Sequence, residues 1–290
     1  MIAWLEKHMP KIVLAPSFLV SIVFVYGFIL WTAWVSLTKS KLMPRYELQG
    51  FFQYERLFDS VRWETALSNL FVFGFLFISI SIILGLILAI FLDQRIRTEG
   101  VIRTIYLYPM ALSLIVTGTA WKWILNPGLG LEATVKSLGW VDFSFNWLVD
   151  PEMAIYTVVI AGIWQASGFV MALFLAGLRS IDQEVIKAAQ IDGIPTWRIY
   201  SSVIIPSMTS VFLSSFIVLS HLAIKSFDLV ISLTGGGPGY ATDLPATFMY
   251  TMAFSRGNLG QAASSAMIMM MIVFAIIVPY LYSELRAKHE

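Results

Sequence analysis

A chain of 290 residues that is 58% hydrophobic, 14% aromatic and only 13% charged falls in the membrane class. Its formal net charge of +1 gives no footprint for nucleic acid and no general attraction to acidic partners. Cysteine is absent, which excludes disulfides and thiolate metal sites, and the three histidines, His8, His221 and His289, are too scattered for a metal-binding helix, so no metal and no cofactor are expected in this chain.

A hydrocarbon core of roughly 30 Å needs about 20 apolar residues of helix. Six runs meet that requirement, at 12–37, 67–92, 105–125, 154–178, 208–233 and 262–282. The first follows Lys7 and Lys11 as a signal peptide would. It is too long for a signal peptide's apolar region, and "SLTKSK" after it has no small-residue cleavage site, so it reads as a span. Next, "FFQYERLF" reads as an amphipathic scaffold helix on the outer surface, in a loop whose five basic residues sit among Glu47, Glu55, Asp59 and Glu64. The second run, "FVFGFLFISISIILGLILAIFL", can satisfy its backbone in lipid only as a helix, and the alternating strands of a membrane barrel are not visible. The fold class is therefore all-α and membrane-spanning, with six helices in a single transmembrane domain over 1–290.

The third run carries Pro109 and Ser113 and ends at Asn126 and Pro127, with Lys122 between Trp121 and Trp123 reading as an interfacial snorkel. The fourth holds Trp164 and Gln165 near its middle, in "IWQASGF". The fifth places His221, Lys225 and Asp228 at helical spacings of four and three, with Ser226 close by. In the sixth, "AMIMMM" reads as packing or lipid-facing surface. Six spans put both termini on one side of the membrane. Ten Lys and Arg lie in the loops of that side against seven on the other, and the short "DQRIRTEGVIR" holds three of the ten, so both termini are placed in the cytoplasm.

On this topology the polar stretch "EVIKAAQIDGIPTWRIYSSVIIP" in the loop 179–206 faces the cytoplasm. Asp182 is an N-cap for a short helix, and Glu184 sits in its first turn, where a carboxylate suits the helix dipole. Val185, Ala188, Ala189 and Asp192 follow at i, i+3, i+4 and i+7 and form one slim face. Gly193 can take the left-handed conformation that ends the helix, and Pro195 can begin the next. A slim helix protruding from the bilayer suits insertion into a groove on another protein.

This stretch resembles the cytoplasmic motif of ABC-importer permeases, which runs Glu-Ala-Ala, three residues, Gly, nine residues and Ile-x-Leu-Pro, and which docks on the ATPase. Ala188, Ala189, Gly193 and the closing Val203, Ile204, Ile205 and Pro206 match it, while the glutamate position holds Lys187 with Glu184 one turn earlier. The segment 225–270 is similar to the outward loop of the first of two permeases in carbohydrate importers, with Leu233, Thr234, Gly236, Gly237, Pro238 and Thr242 in place. "RTIYLYPMAL" and "WKWILNPGLG" resemble the same family, so the likeness covers essentially the whole chain. Within it, "SFDLV", "DLPATFMY" and "VPYLYSELR" are most similar to glucose and mannose permeases, with small glucosides such as glucosylglycerol left open.

The resemblance implies the type I importer permease fold and alternating access in a bacterial inner membrane. Its implied partners are a second homologous permease, two copies of a cytoplasmic ABC ATPase and a periplasmic or lipid-anchored sugar-binding protein. This chain has no G-x-x-x-x-G-K-[ST] motif, so ATP and magnesium are expected on the partner ATPase and no enzymatic activity is expected here. Coupling to it is assigned to Glu184, Lys187, Ala188, Ala189, Asp192, Gly193 and Pro206.

Candidates for the sugar pathway are the polar and aromatic groups near mid-membrane, where ionisable side chains are costly. They are Ser113, Trp164, Gln165, His221, Lys225, Ser226 and Asp228. Trp164 offers a face for a sugar ring or packs between helices. Gln165 hydrogen-bonds a sugar or bridges two helices, and Lys225 with Asp228 is equally a structural ion pair. Of the family's sugar contacts on the fifth helix, those falling near Leu219 and Ala223 are apolar here, and only Ser226 carries over. The small residues Ala262, Ala263, Ser264, Ser265 and Ala266 would allow close approach to the second permease. Two other readings stand beside the sugar importer: an importer of a different solute, and an intramembrane enzyme built on His221, Asp228 and Ser226.

Overall fold

The computed structural model describes residues 2–43, 45, 47–94 and 96–287, with the backbone alone described for 2–8, 10, 12, 183 and 283–287. Arg95, Lys288 and His289 therefore lie outside the described residues, as does the side chain of His8. The described chain is all-α, and its only β pairing is one isolated bridge between Thr38 and Leu48. In chain order the helices are α1 (Ile2–Ser21), α2 (Gly27–Ser36), α3 (Phe52–Phe58), α4 (Val61–Asp93), α5 (Glu99–Ala111), α6 (Leu114–Ile124), α7 (Gly130–Ser137) and α8 (Ala154–Arg179). They continue as α9 (Gln183–Ile191), α10 (Thr196–Ile199), α11 (Ile205–Ser207), α12 (Thr209–Ile224), α13 (Asp228–Leu233), α14 (Pro245–Tyr250) and α15 (Leu259–Ala287). Single π-helical turns join α1 to α2 and α10 to α11, and a third follows α14.

Four continuous helical stretches are long and apolar enough to cross a bilayer, at Val13–Ser36, Val61–Asp93, Ala154–Arg179 and Leu259–Tyr282. The third predicted run is not one straight span: α5 and α6 meet at 101°. Pro109 supplies no backbone N–H, α5 stops two residues later, and Ser113 turns extended and caps α6 by accepting from the Ile115 N–H at 3.3 Å. The fifth run departs in a similar way. The segment 196–207 meets α12 at 67°, and α12 ends at Ile224, so 225–227 interrupts the predicted helix before α13. Counting each bent pair as one span gives up to six crossings.

The chain folds as two compact units, one formed by the residues up to Val61 with Phe248–Met270, the other by Arg62–Thr247 with the residues from Met271 onward. In the first, Gln53 of α3 donates to the Thr38 carbonyl at 2.9 Å, and the Gly260 N–H donates to the Ser40 carbonyl at 2.9 Å. The small stripe that opens α15 is not a free face for another subunit: Ala262 through Ser265 are buried within the chain itself. The second unit has α8 at its centre, with apolar side chains buried all around it. Helix α4 packs there through a one-sided stripe of Phe73, Phe77, Ser81, Gly85, Ala89 and Leu92. Helix α5 approaches α8 closely because residue 168 is glycine; a Cβ there would fall 1.8 Å from the Tyr106 carbonyl oxygen.

Candidate functional site

Both helix breaks, at 111–113 and 225–227, open onto one cavity of about 370 Å3 within the second unit. Its walls come from α4 (Phe73, Phe77), the α5–α6 break (Met110, Leu112, Leu114), α8 (Gln165, Phe169) and the end of α12 with Ser226. Breaking a helix at membrane depth frees backbone polar groups, which is tolerated only where protein or a polar cavity takes them up. Here Gln165 Nε2 donates to the Leu112 carbonyl at 3.0 Å. Its other amide atom, Oε1, is buried without a hydrogen-bond partner, an acceptor on a residue of the cavity wall. Ser226 is 6% exposed and adds a hydroxyl. Phe73 and Phe77 lie stacked, with ring centroids 5.3 Å apart. The lining side chains are all uncharged. The arrangement suits a ligand with an apolar face and a few hydrogen-bonding edges.

The other pathway candidates fall outside this cavity. Trp164 packs edge-on against Trp121, with centroids 5.9 Å apart, because adjacent residues on a helix point about 100° apart and Gln165 takes the inward direction. The aromatic residues that line the cavity are Phe73, Phe77 and Phe169. Ser113 is exposed and spends its hydroxyl capping α6. His221 faces a small crevice with Val273, Ile276 and Ile277 of α15. Lys225 and Asp228 are both exposed, and neither is part of an ion pair among the described residues. The break between them destroys their helical spacing, and Asp228 sits in the first turn of α13, where the helix dipole favours it. The three members of the enzyme alternative, His221, Ser226 and Asp228, are thus not assembled around the cavity.

The loop 179–206 adopts two short helices and a turn. The Asp182 side chain accepts from the Glu184 N–H at 2.9 Å. Gly193 has φ +73°, its N–H donates to the Gln190 carbonyl, and the Ile194 N–H reaches the Ala189 carbonyl at 3.1 Å. That pair of bonds is the Schellman closure, for which a left-handed glycine is the natural residue. The predicted slim face is divided: Ala189 is buried against the core and Ile186 partly so, whereas Glu184, Val185, Lys187, Ala188 and Asp192 are exposed. Ile191 is 85% exposed and Trp197 71%, large apolar side chains left uncovered beside that face. Pro206 is exposed before the bend into α12.

On the opposite end of the second unit the glycine-rich loop is firmly tied. Thr234 and Thr242 share a hydroxyl hydrogen bond of 2.6 Å, and Asn69 of α4 donates to the carbonyls of Ala241 and Asp243 at 3.0 Å each. The Asp243 carboxylate, only 2% exposed, pairs with Arg62, whose guanidinium also lies 4.4 Å over the Tyr240 ring. In α7 the hydrogen bond from Lys136, helped by the amides of Gly128 and Phe145, holds the Glu132 carboxyl below its ordinary range. Sequence reasoning missed Phe73, Phe77, Arg62, Asp243 and an ion network at Arg179. The two phenylalanines stand four apart in an apolar run and carry no mark of their own. The placement of Arg62 on the loop that it holds, and of Arg179 beside Glu99, is set by the fold and leaves no mark in the sequence.

Continuous and broken apolar spans, with an uncharged cavity at the breaks in the second unit, define a multi-pass membrane protein. The chain belongs to the family of binding-protein-dependent transport system inner membrane components, whose pattern matches residues 81–288. It is similar to a probable ABC transporter permease protein of Pyrococcus horikoshii, 39% identical over 96% of each chain. It is also similar to a trehalose/maltose transport system permease protein of Thermococcus litoralis, 30% identical over 95% of this chain and 93% of that one. A bacterial ABC transporter for import of the acidic polysaccharide alginate has the same fold, with a TM-score of 0.84, 18% identity and 99% of each chain covered. The chain is thus a non-catalytic permease subunit of an ABC importer, moving a solute across the membrane with a partner ATPase and a solute-binding component.

Proposed function

We propose that this permease imports a neutral sugar, glucose or mannose or a small glucoside such as glucosylglycerol, by alternating access. The observation that carries the reading is the cavity at the two breaks. Gln165 and Ser226 are its polar lining residues, and Phe73, Phe77 and Phe169 are among the apolar ones, around a space of about 370 Å3. A sugar presents that combination, polar at its edge and apolar on its ring face. The trehalose/maltose relative supports a carbohydrate rather than another class of solute.

The membrane is a bacterial inner membrane, with both termini cytoplasmic. The complex holds a second homologous permease, two ATPase copies and a periplasmic or lipid-anchored sugar-binding protein. Glu184, Lys187, Ala188, Ala189, Asp192, Gly193 and Pro206 form the surface that meets the ATPase, supported by the exposure of most of the segment and its local closure at Gly193. ATP acts by binding one conformation more tightly, and shifts the inward and outward populations only by that difference. The test is ATPase stimulation of the purified complex in lipid with its binding protein, across glucose, mannose, maltose, glucosylglycerol and glycerol phosphate. Stimulation by a neutral sugar is expected. Stimulation by glycerol phosphate alone, or by none of them in a complex that hydrolyses ATP, would overturn the assignment.

A further inference from the structure

Arg179 ends α8 three residues before Asp182, the cap of the coupling helix. Its Nη2 lies 2.8 Å from Glu99 Oε1, and its Nε lies 3.9 Å from Asp93 Oδ1. Asp93 is the last residue of α4, where a carboxylate meets the negative end of its own helix and gains from a cation nearby. Glu99 is in the first turn of α5, where the dipole favours it, and Arg103 Nη1 comes within 3.8 Å of it. One guanidinium therefore joins the ends of three helices on the side from which α9 departs.

Farther along α8, about 21 Å away at the helical rise, Gln165 holds the Leu112 carbonyl at the other end of α5. Between these points the backbones of α5 and α8 touch at Gly168 and Tyr106. Helices α5 and α8 are tied at both ends, once beside the coupling helix and once at the cavity wall. We infer that Arg179 is a positioning residue for transport: through Glu99 it fixes the register of α5 on α8, so that displacement of 182–195 reaches the cavity wall at 110–114. This rests on the reading of 182–195 as the ATPase-docking segment. The paired side chains are 44% and 26% exposed, and such ion pairs add little to stability. Their contribution here is registration, which separates the proposal from a merely structural role.

The absence of cysteine provides a direct readout. A Met110→Cys variant, assembled with its partners in lipid, is labelled by a water-soluble methanethiosulfonate with and without MgATP trapped by vanadate. With the tie intact, nucleotide should change the labelling rate by about fivefold or more, the scale of ordinary allosteric coupling. In that background Arg179→Gln and Glu99→Gln should each abolish most of the change while ATP hydrolysis continues. The double variant should be no worse than either, since the two act as one unit, and Arg179→Lys should recover part of the response. A full response in Arg179→Gln, or losses in the two single variants that simply add, would overturn the proposal. A complex without these substitutions that hydrolyses ATP but gives no nucleotide response would overturn it together with the docking reading, and that outcome is read before any variant of the tie is made.

Discussion

The cavity wall and the loop 179–206 are both built around a turn between helices, and they are held in opposite ways. The turn at 111–113 is pinned from outside itself: Gln165 of α8 takes the Leu112 carbonyl, and α8 lies against α5 at Gly168. The turn at 192–195 is closed by its own backbone, through the bonds from Gly193 and Ile194, and leaves Ile191 and Trp197 in the open. A turn at membrane depth without tertiary partners would strand polar groups, so the fold must supply them. An exposed turn needs only local chemistry, and its outward side chains stay available for another protein.

Substitutions should therefore separate the two regions. The largest effect belongs to Gly168→Val, which drives a side chain into the Tyr106 carbonyl; overpacking of this kind costs about 1–3 kcal/mol or more, and folded yield and thermal midpoint should both fall. Next, Gly193→Pro imposes a φ near −65° where the chain needs +73°. It should uncouple ATP hydrolysis from import while membrane insertion persists, and normal import per ATP in that variant would remove the coupling role. Ile191→Asp comes third. An 85% exposed side chain contributes little to folding, so stability should hold while assembly with the ATPase weakens about tenfold, some 1.4 kcal/mol, measured by titrating the ATPase onto the permease pair.

The smallest effect is a pH dependence in α7, distant from both turns in sequence. The Lys136 hydrogen bond holds Glu132 below its ordinary pKa, so folding gains from the ionised form. That gain is complete above the unfolded carboxylate range and is lost as pH falls through the lower folded value. Glu132→Gln should lower the thermal midpoint slightly at neutral pH and flatten its decline into acid; an unchanged profile would show that the pairing is incidental.

Much of this was legible in the sequence. Apolar length marked the spans, and Asp182 and Gly193 marked the ends of α9, while Pro109 and Ser113 stood in a run read as one unbroken span. The second break, at Lys225, Ser226 and Phe227, contains neither glycine nor proline, so an unbroken run was the natural expectation there. The pairing of Lys225 with Asp228 failed with that helix. Trp164 lies outside the cavity while Gln165 lines it, because the helix turns neighbouring residues to different sides. The small stripe of α15 is as consistent with a neighbour inside the chain as with one outside, and periodicity cannot choose between them. Arg179 is far in sequence from Glu99 and Asp93, and only folding brings it to them.

Gln165, a residue of the cavity wall, holds the broken span through Nε2 and leaves Oε1 buried without a partner. The most direct measurement is import of the stimulating sugar into proteoliposomes holding the full complex, comparing the native chain with Gln165→Leu over a range of binding-protein concentration. The account predicts at least a tenfold loss of import, about 1.4 kcal/mol, with ATP hydrolysis still present. Import at the native rate in Gln165→Leu would contradict it and move the sugar pathway away from this cavity.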